Sequence, residues 1–296
     1  MPEARTRHGR GYTALVGGFV GTFAVTGLVL ALAARSVLPL LVFLVVGGAA
    51  ALGAWLFSAD LCLKLTAAAP ADERVHARLD NLTDGLCGAV GVSKPTLYVI
   101  DDPSANAYAC GRDERHASVV VTSGLLDRLN RVQLEGVLAR ELNRIKTGEI
   151  GRKTLLVGLI GVPAAMSDYG LRYFAGMTGG ARSGGRSLAA GLSLVCVPLG
   201  PVAAAVLRAM IGHDDDGLAD LEGVEVTRYP PGLFAALLAI AEAGTVVASA
   251  GRATAHLWVA APLSPPPAGD TFTAKRIAAL DTHGSLTERI DTLGEL

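Results

Sequence analysis

Two long apolar runs open the chain and dominate its pattern. Gly11 to Ala34 carries no charged residue, Arg35 interrupts, and Ser36 to Ala59 is again uncharged. Each run is long enough to cross the roughly 30 Å hydrocarbon core of a bilayer as a helix. A cleaved leader would have a shorter apolar core and a small-residue cleavage site. The tight connection therefore predicts a helical hairpin. A second apolar pair lies mid-chain. Thr154 to Ser167 is short for a span, so it must run on past Asp168 or be partly embedded. Ser187 to Leu207 is full length, with Pro198 and Pro201 placed to kink it. The loop between them, GMTGGARSGGRS, has the composition of a flexible linker.

Outside these runs the periodicity changes. Val75, Leu79, Leu82, Leu86 and Val90 recur at helical spacing, which predicts an amphipathic helix over Ala71 to Val90. Short β-rich stretches follow: PTLYVI (Pro95–Ile100), NAYACG (Asn106–Gly111) and HASVVVTSG (His116–Gly124). RDER forms the turn between the last two. A second helix opens at Asn130, where Gln133 completes a capping-box pattern. Leu134, Val137, Leu138, Leu142 and Ile145 form its apolar stripe, and Gly148 is its natural stop. The organisation predicted is a tail over residues 1–10, a hairpin over 11–59, a polar domain built from 60–152 and 208–296, and a second hairpin over 153–207.

Composition agrees with the membrane reading. Hydrophobic residues make up 51% of the chain and charged residues 18%, too apolar a balance for an ordinary soluble domain. Lys+Arg 26 against Asp+Glu 27 leaves a net charge of -1, and no basic stripe interleaves with aromatics, so a nucleic-acid partner is not indicated. Arg5, Arg7 and Arg10 precede the first span and the connection carries only Arg35. That bias places the N-terminus in the cytoplasm and returns the chain there after Ala59. Cys62, Cys87, Cys110 and Cys196 are scattered without a C-x-x-C pair and read as small buried apolar side chains.

The candidate chemistry lies in the second helix, at R-E-L-N-R (Arg140–Arg144). Residues four apart share a helical face, with Glu141 beside them. Histidines at those two positions would grip a zinc ion while the glutamate took a proton from metal-bound water. A guanidinium stays protonated and has no lone pair to offer, so Arg140 and Arg144 cannot act as ordinary zinc ligands. Taken alone, the stretch would be a solvated charged face.

Its surroundings point further. Asn106 to Ile150 resembles the core of the HtpX-type membrane zinc metallopeptidases, which are gluzincins. That family has an N-A-F-A-x-G strand, a second strand ending T-x-G-L-L, and then V-L-A-H-E-L-x-H-I. Asp214 to Leu237 is similar to the family's E-x-x-A-D helix and the T-x-x-P-x-x-L after it. Thr282 to Leu296 is similar to its terminal T-H-P-x-x-x-E-R-I-x-x-L.

The resemblance implies an α+β, mainly helical fold. A zincin-like metallopeptidase domain with a small sheet would be joined to about four transmembrane helices in two hairpins. It implies a multi-pass protein of the cell (inner) membrane with its peptidase-like domain facing the cytoplasm. It places Glu141 at the general-base position, vestigial here, and the metal-ligand positions at Arg140, Arg144 and Asp216. Asp216 stands where the family has a glutamate. Asp220 matches the acidic residue that supports a liganding histidine. The strand beside the active helix, matched by Ala117, Ser118, Val119, Val120 and Val121, is where the family takes up an extended peptide.

Three readings follow. In the first the protein is a pseudopeptidase without a cofactor. An Arg–carboxylate cluster of Arg140, Arg144, Glu141, Asp216 and Asp220 replaces the zinc. Such a protein would bind or regulate membrane or unfolded proteins, with the bilayer and a membrane-protein, peptide or active-paralogue partner. In the second it is an active metalloendopeptidase with a rebuilt zinc site, using Glu141 and Asp216 helped by a histidine. Of His8, His76, His116, His213, His256 and His283, His213 lies three residues before Asp216. In the third it is a structural or transport protein sharing only the fold. The first two spans carry no ionisable residue to form an ion path.

Overall fold

The computed structural model describes residues 2–161, 215–251, 253–263 and 283–296. Helices α1 (Pro2–Ala34) and α2 (Leu38–Leu65) form the expected first hairpin. Both are long and apolar enough to cross a membrane, over Leu15–Ala34 and Leu38–Leu65. The helix of α1 starts at Pro2, so the predicted tail continues it, and α2 runs past Ala59 to Leu65. Arg35 makes the connection in a left-handed conformation (φ 49), with Ser36 N–H returning to the Ala31 carbonyl at 3.0 Å.

The third predicted span begins as α6 (Glu149–Leu156) and a π-helical turn (Val157–Gly161). Gly158 packs against Ala54 of α2, and Val157 joins a buried cluster with Cys62 and Tyr108. The rest of that stretch, Ser187–Leu207 and His213 lie outside the described residues. Among the described residues, two helices qualify as spans.

A four-stranded sheet lies beyond the hairpin. Its strands are β1 (Ala69–Pro70), β2 (Thr96–Ile100), β3 (Ala107–Gly111) and β4 (Ala117–Thr122), in the order β1-β2-β4-β3. β3 and β4 are an antiparallel hairpin, with Ala109 opposite Val119. β2 runs parallel to β4, with Tyr98 opposite Val120. The turn at RDER is a 3-10 turn (Glu114–His116) held by Asp113, whose carboxylate accepts the His116 N–H at 2.9 Å.

This topology corrects one expectation. Ala117 to Val121, expected to receive a peptide, lie in an internal strand flanked by β2 and β3 and buried throughout. The strand order depends on which segments meet in space, and the alternation of side chains does not encode it. The edges of this sheet are β1 and β3, and β3 is the one packed beside α5.

Helix α3 (Ala77–Val90) is shorter than the periodicity predicts. The Asp72 carboxylate accepts the N–H groups of Arg74 (2.8 Å) and Val75 (3.4 Å). A side chain that satisfies nearby backbone competes with helix, and Val75 is left exposed. From Leu79 onward the predicted apolar positions are buried.

Two further helices lead to the site. After α4 (Ser123–Arg128), α5 (Arg131–Thr147) starts at the expected capping box: Asn130 accepts from Gln133 N–H, and Gln133 returns the bond. It ends at Gly148, which is left-handed (φ 78) and suited to a residue without Cβ. Leu134, Val137, Leu138, Leu142 and Ile145 are all buried, each contributing about 1.5–3 kcal/mol over exposure. Around α5 pack α3, β3, α7 (Asp215–Thr227) and α8 (Pro230–Ala243), with α9 (Leu286–Gly294) closing over α7 and α8.

Candidate functional site

The burial of α5 extends beyond its apolar stripe. Leu134 and every residue from Gly136 to Ile145 are buried, including Arg140, Glu141 and Arg144. A helix buried on all sides must pair its charged groups or bear a large desolvation cost. Gly223 of α7 sets the approach. A Cβ there would stand 2.8 Å from the Arg140 Cα, so only glycine lets the two helices come this close. The approach brings Asp216 and Asp220, one turn apart on α7, against Arg140.

Arg140 uses each of its three nitrogens on a different carboxylate. Nε donates to Asp220 Oδ1 at 2.7 Å, Nη2 to Asp216 Oδ1 at 3.1 Å, and Nη1 to Glu141 Oε1. Arg144 Nη1 donates to both Glu141 oxygens, at 3.1 and 2.9 Å, and Nε to Glu149 Oε1 at 3.3 Å. Glu141 thus lies between two guanidinium groups. Every residue of the expected cluster is present in it.

Sequence reasoning missed the outer members. Lys153 Nζ pairs with Glu149 at 2.7 Å and faces Asp216 at 3.9 Å. Arg289 forks onto Asp220 through Nε (2.6 Å) and Nη2 (2.9 Å). His283 Nδ1 contacts Asp216 Oδ2 at 2.9 Å. Among the described residues, Arg140, Arg144, Lys153 and Arg289 balance Glu141, Glu149, Asp216 and Asp220 in formal charge, before His283 is counted. Signals for these were present: Glu149 and Lys153 stand four apart, and Arg289 lies in the E-R-I of the tail. Lys153 also carries the polar domain past its predicted end at residue 152.

The electrostatics follow from this pairing. Burial pulls the Arg140 guanidinium down, but Asp220, Glu141 and Asp216 outweigh it and hold it above its ordinary value. Burial raises Glu149, yet Lys153 and Arg144 bring it to about 2. Asp216, also pushed up by burial, is held well below the usual carboxylate range, chiefly by the His283 hydrogen bond and Lys153. His256 goes the other way: burial depresses it to about 3, so its ring is neutral. Its Nε2 meets the Lys153 carbonyl at 2.8 Å.

A zinc ion does not fit these residues as arranged. The two positions one helical turn apart present guanidinium groups without a lone pair. Glu141, Asp216 and Asp220 already accept hydrogen bonds from Arg140. Among the described residues, no group of three or more His, Cys, Asp or Glu side chains is placed to hold a metal.

Comparison with known proteins places the architecture. The model of the family described as Peptidase family M48 matches residues 72–296, most of the chain. The chain belongs to peptidase family M48. Within M48 it is of the HtpX type. A Protease HtpX homolog from Tropheryma whipplei is 32% identical over 242 residues, covering 82% of this chain and 80% of the relative. One from Dictyoglomus turgidum is 35% identical over 213 residues, covering 72% and 67%. A third, from Caldanaerobacter subterraneus, is 32% identical over 244 residues, covering 81% and 78%. The M48 match spans α5, α6, α7 and α9 and includes every residue of the cluster.

Proposed function

We propose that this HtpX-type M48 member is a pseudopeptidase: a membrane-anchored peptidase homologue without catalytic activity. An Arg–carboxylate cluster stands in it where a peptidase of this architecture keeps its metal. The observation that carries the reading is the three-way engagement of Arg140. Its guanidinium bonds the residue at the general-base position, Glu141, together with both acidic residues of α7. Two guanidinium groups supply the two positive charges of a zinc ion and tie α5 to α7 and α6. Both oxygens of this glutamate accept hydrogen bonds from arginine, so the residue at the general-base position is engaged within the cluster.

The α1–α2 hairpin holds the protein in the cell membrane, and the second apolar pair adds to that anchorage. The arginines before the first span support a cytoplasmic peptidase-like domain. What remains to such a protein is binding: it recognises or regulates membrane or unfolded proteins, an active family member among them.

The test is proteolysis by the full chain in detergent or nanodiscs, with unfolded casein as substrate, with and without zinc. The reading predicts no cleavage above a Glu141→Gln control. Zinc-dependent cleavage that Glu141→Gln abolishes would overturn it and favour an active metalloendopeptidase.

A further inference from the structure

β3 is the edge strand beside α5, and an extended polypeptide could add to it there. That position is filled by the chain itself. After a 3-10 turn (Ala255–Leu257), Trp258 bridges to Tyr108 of β3 in antiparallel sense, and Val259 N–H donates to the Ala107 carbonyl at 2.8 Å. Asn106 clasps the next residue from both sides. Its Oδ1 accepts the Ala260 N–H at 3.2 Å, and its Nδ2 donates to the Ala260 carbonyl at 2.9 Å. Residues 255–260 are buried, and the Trp258 ring packs on Tyr108 with centroids 4.7 Å apart.

The charge cluster holds the same segment. Alternate carbonyls face its nitrogen-bearing side chains: Ala255 O meets His283 Nε2 at 2.8 Å, Leu257 O accepts from Arg144 Nη1 at 3.3 Å, and Val259 O accepts from Arg289 Nη1 at 2.6 Å. This is how a bound peptide is held, by sheet bonds to an edge and donors on alternate carbonyls. The pairing with β3 is an isolated bridge and not a ladder, so the segment is held to the edge mainly by side chains and not by the backbone bonds of a built-in strand.

We propose that residues 255–260 are a resident ligand of the β3 edge. The chain keeps its own segment in the position of an extended polypeptide, and a polypeptide binds there in trans only when that segment is displaced. The inference does not depend on whether the cluster binds a metal.

Its test uses the full chain in nanodiscs with fluorescein-labelled β-casein as an extended probe, read by anisotropy. Amide exchange is followed by mass spectrometry over 255–262 and over α5. Val259→Pro deletes the N–H that bonds Ala107. Thr245→Ala is a milder change, removing only the hydroxyl bond to the Ala261 carbonyl (2.7 Å). The expected result is protection of 257–261 in the wild type, with casein binding at least about tenfold tighter in Val259→Pro and intermediate in Thr245→Ala. Protection of α5 shows that each variant is folded. Unprotected exchange over 257–261 in the wild type would overturn the proposal, as would wild-type binding equal to that of the folded variants. The functional reading fails on cleavage of the probe and this one on binding or exchange, so the two failures are read separately.

Discussion

In the α1–α2 hairpin the side chains turned outward are apolar: Leu32 is 71% exposed and Phe57 62%. In the cluster under β3 the side chains turned inward are charged, and Arg140 and Arg144 are 0% exposed. The two regions invert the usual arrangement of a soluble protein in opposite ways. The hairpin is suited to a bilayer, since lipid accepts apolar surface and rejects charge. The cluster has no medium to rely on; the near one-to-one pairing of guanidinium, ammonium and carboxylate balances its charge, with Arg144 Nη2 left without a hydrogen-bond partner among the described residues. The hairpin should therefore tolerate most apolar exchanges, whereas the cluster should tolerate almost no single change.

The sharpest way to break this contrast is to remove one charge from the cluster. Arg140→Ala leaves Asp220, Glu141 and Asp216 facing one another without their shared cation. A loss of about 3–5 kcal/mol is expected, visible as a large drop in the thermal midpoint in detergent. A midpoint near that of the wild type would mean that the cluster does not hold α5 to α7. The converse change puts a charge where the medium rejects it. Leu52→Asp, on the exposed side of α2 and near its middle, should cost about 2.5–3.5 kcal/mol. It should appear as reduced membrane insertion and not as unfolding of the peptidase-like domain.

Acid should separate the regions without mutation. His256 stays neutral in the fold down to about pH 3 from an ordinary value of 6.5, whereas the unfolded chain takes up a proton below 6.5. Stability is thus full above 6.5 and falls as pH drops toward 3. By pH 5 the loss from this group is about 2 kcal/mol. Glu149, ionised in the fold down to about 2, adds a second loss as pH falls below its ordinary 4.5. Exchange of α5 and α6 amides should rise between pH 7 and 5 while that of α2 stays flat. Uniform behaviour of the three helices would count against it. The smallest effect belongs to the surface. Lys94 pairs with Asp80 at 2.8 Å in a partly exposed bridge, and Lys94→Ala should cost less than about 1 kcal/mol in the same thermal assay.

Much of this was legible in the chain, for physical reasons that can be named. The hairpin follows from uninterrupted apolar length, and α5 from the Asn130–Gln133 box, its stripe and Gly148. The inner cluster of Arg140, Glu141, Arg144, Asp216 and Asp220 was reached through resemblance, because α7 and α5 are far apart in sequence. What the chain did not reveal depends on pairing in space. β4 became internal because β2 runs parallel to it. Residues 255–260 give no strand periodicity, being held by Asn106, Arg144 and Arg289. Arg289 sits in a short terminal helix whose pattern says only that it is amphipathic. Lys153 was lost at the border of an apolar run, where a charge reads as flanking a span and not as part of a core. Val75 matched the helical period by coincidence, while Asp72 had already committed its backbone to a turn.

The measurement that bears most directly on the central claim is the zinc content of the purified full chain, set against an Arg140→His/Arg144→His variant by elemental mass spectrometry after dialysis. The wild type is predicted to retain no stoichiometric zinc, and the double variant, with two imidazoles facing Asp216 across α5 and α7, to gain it. One equivalent of zinc retained by the wild type and lost in Asp216→Ala would contradict the replacement of a metal by two arginines.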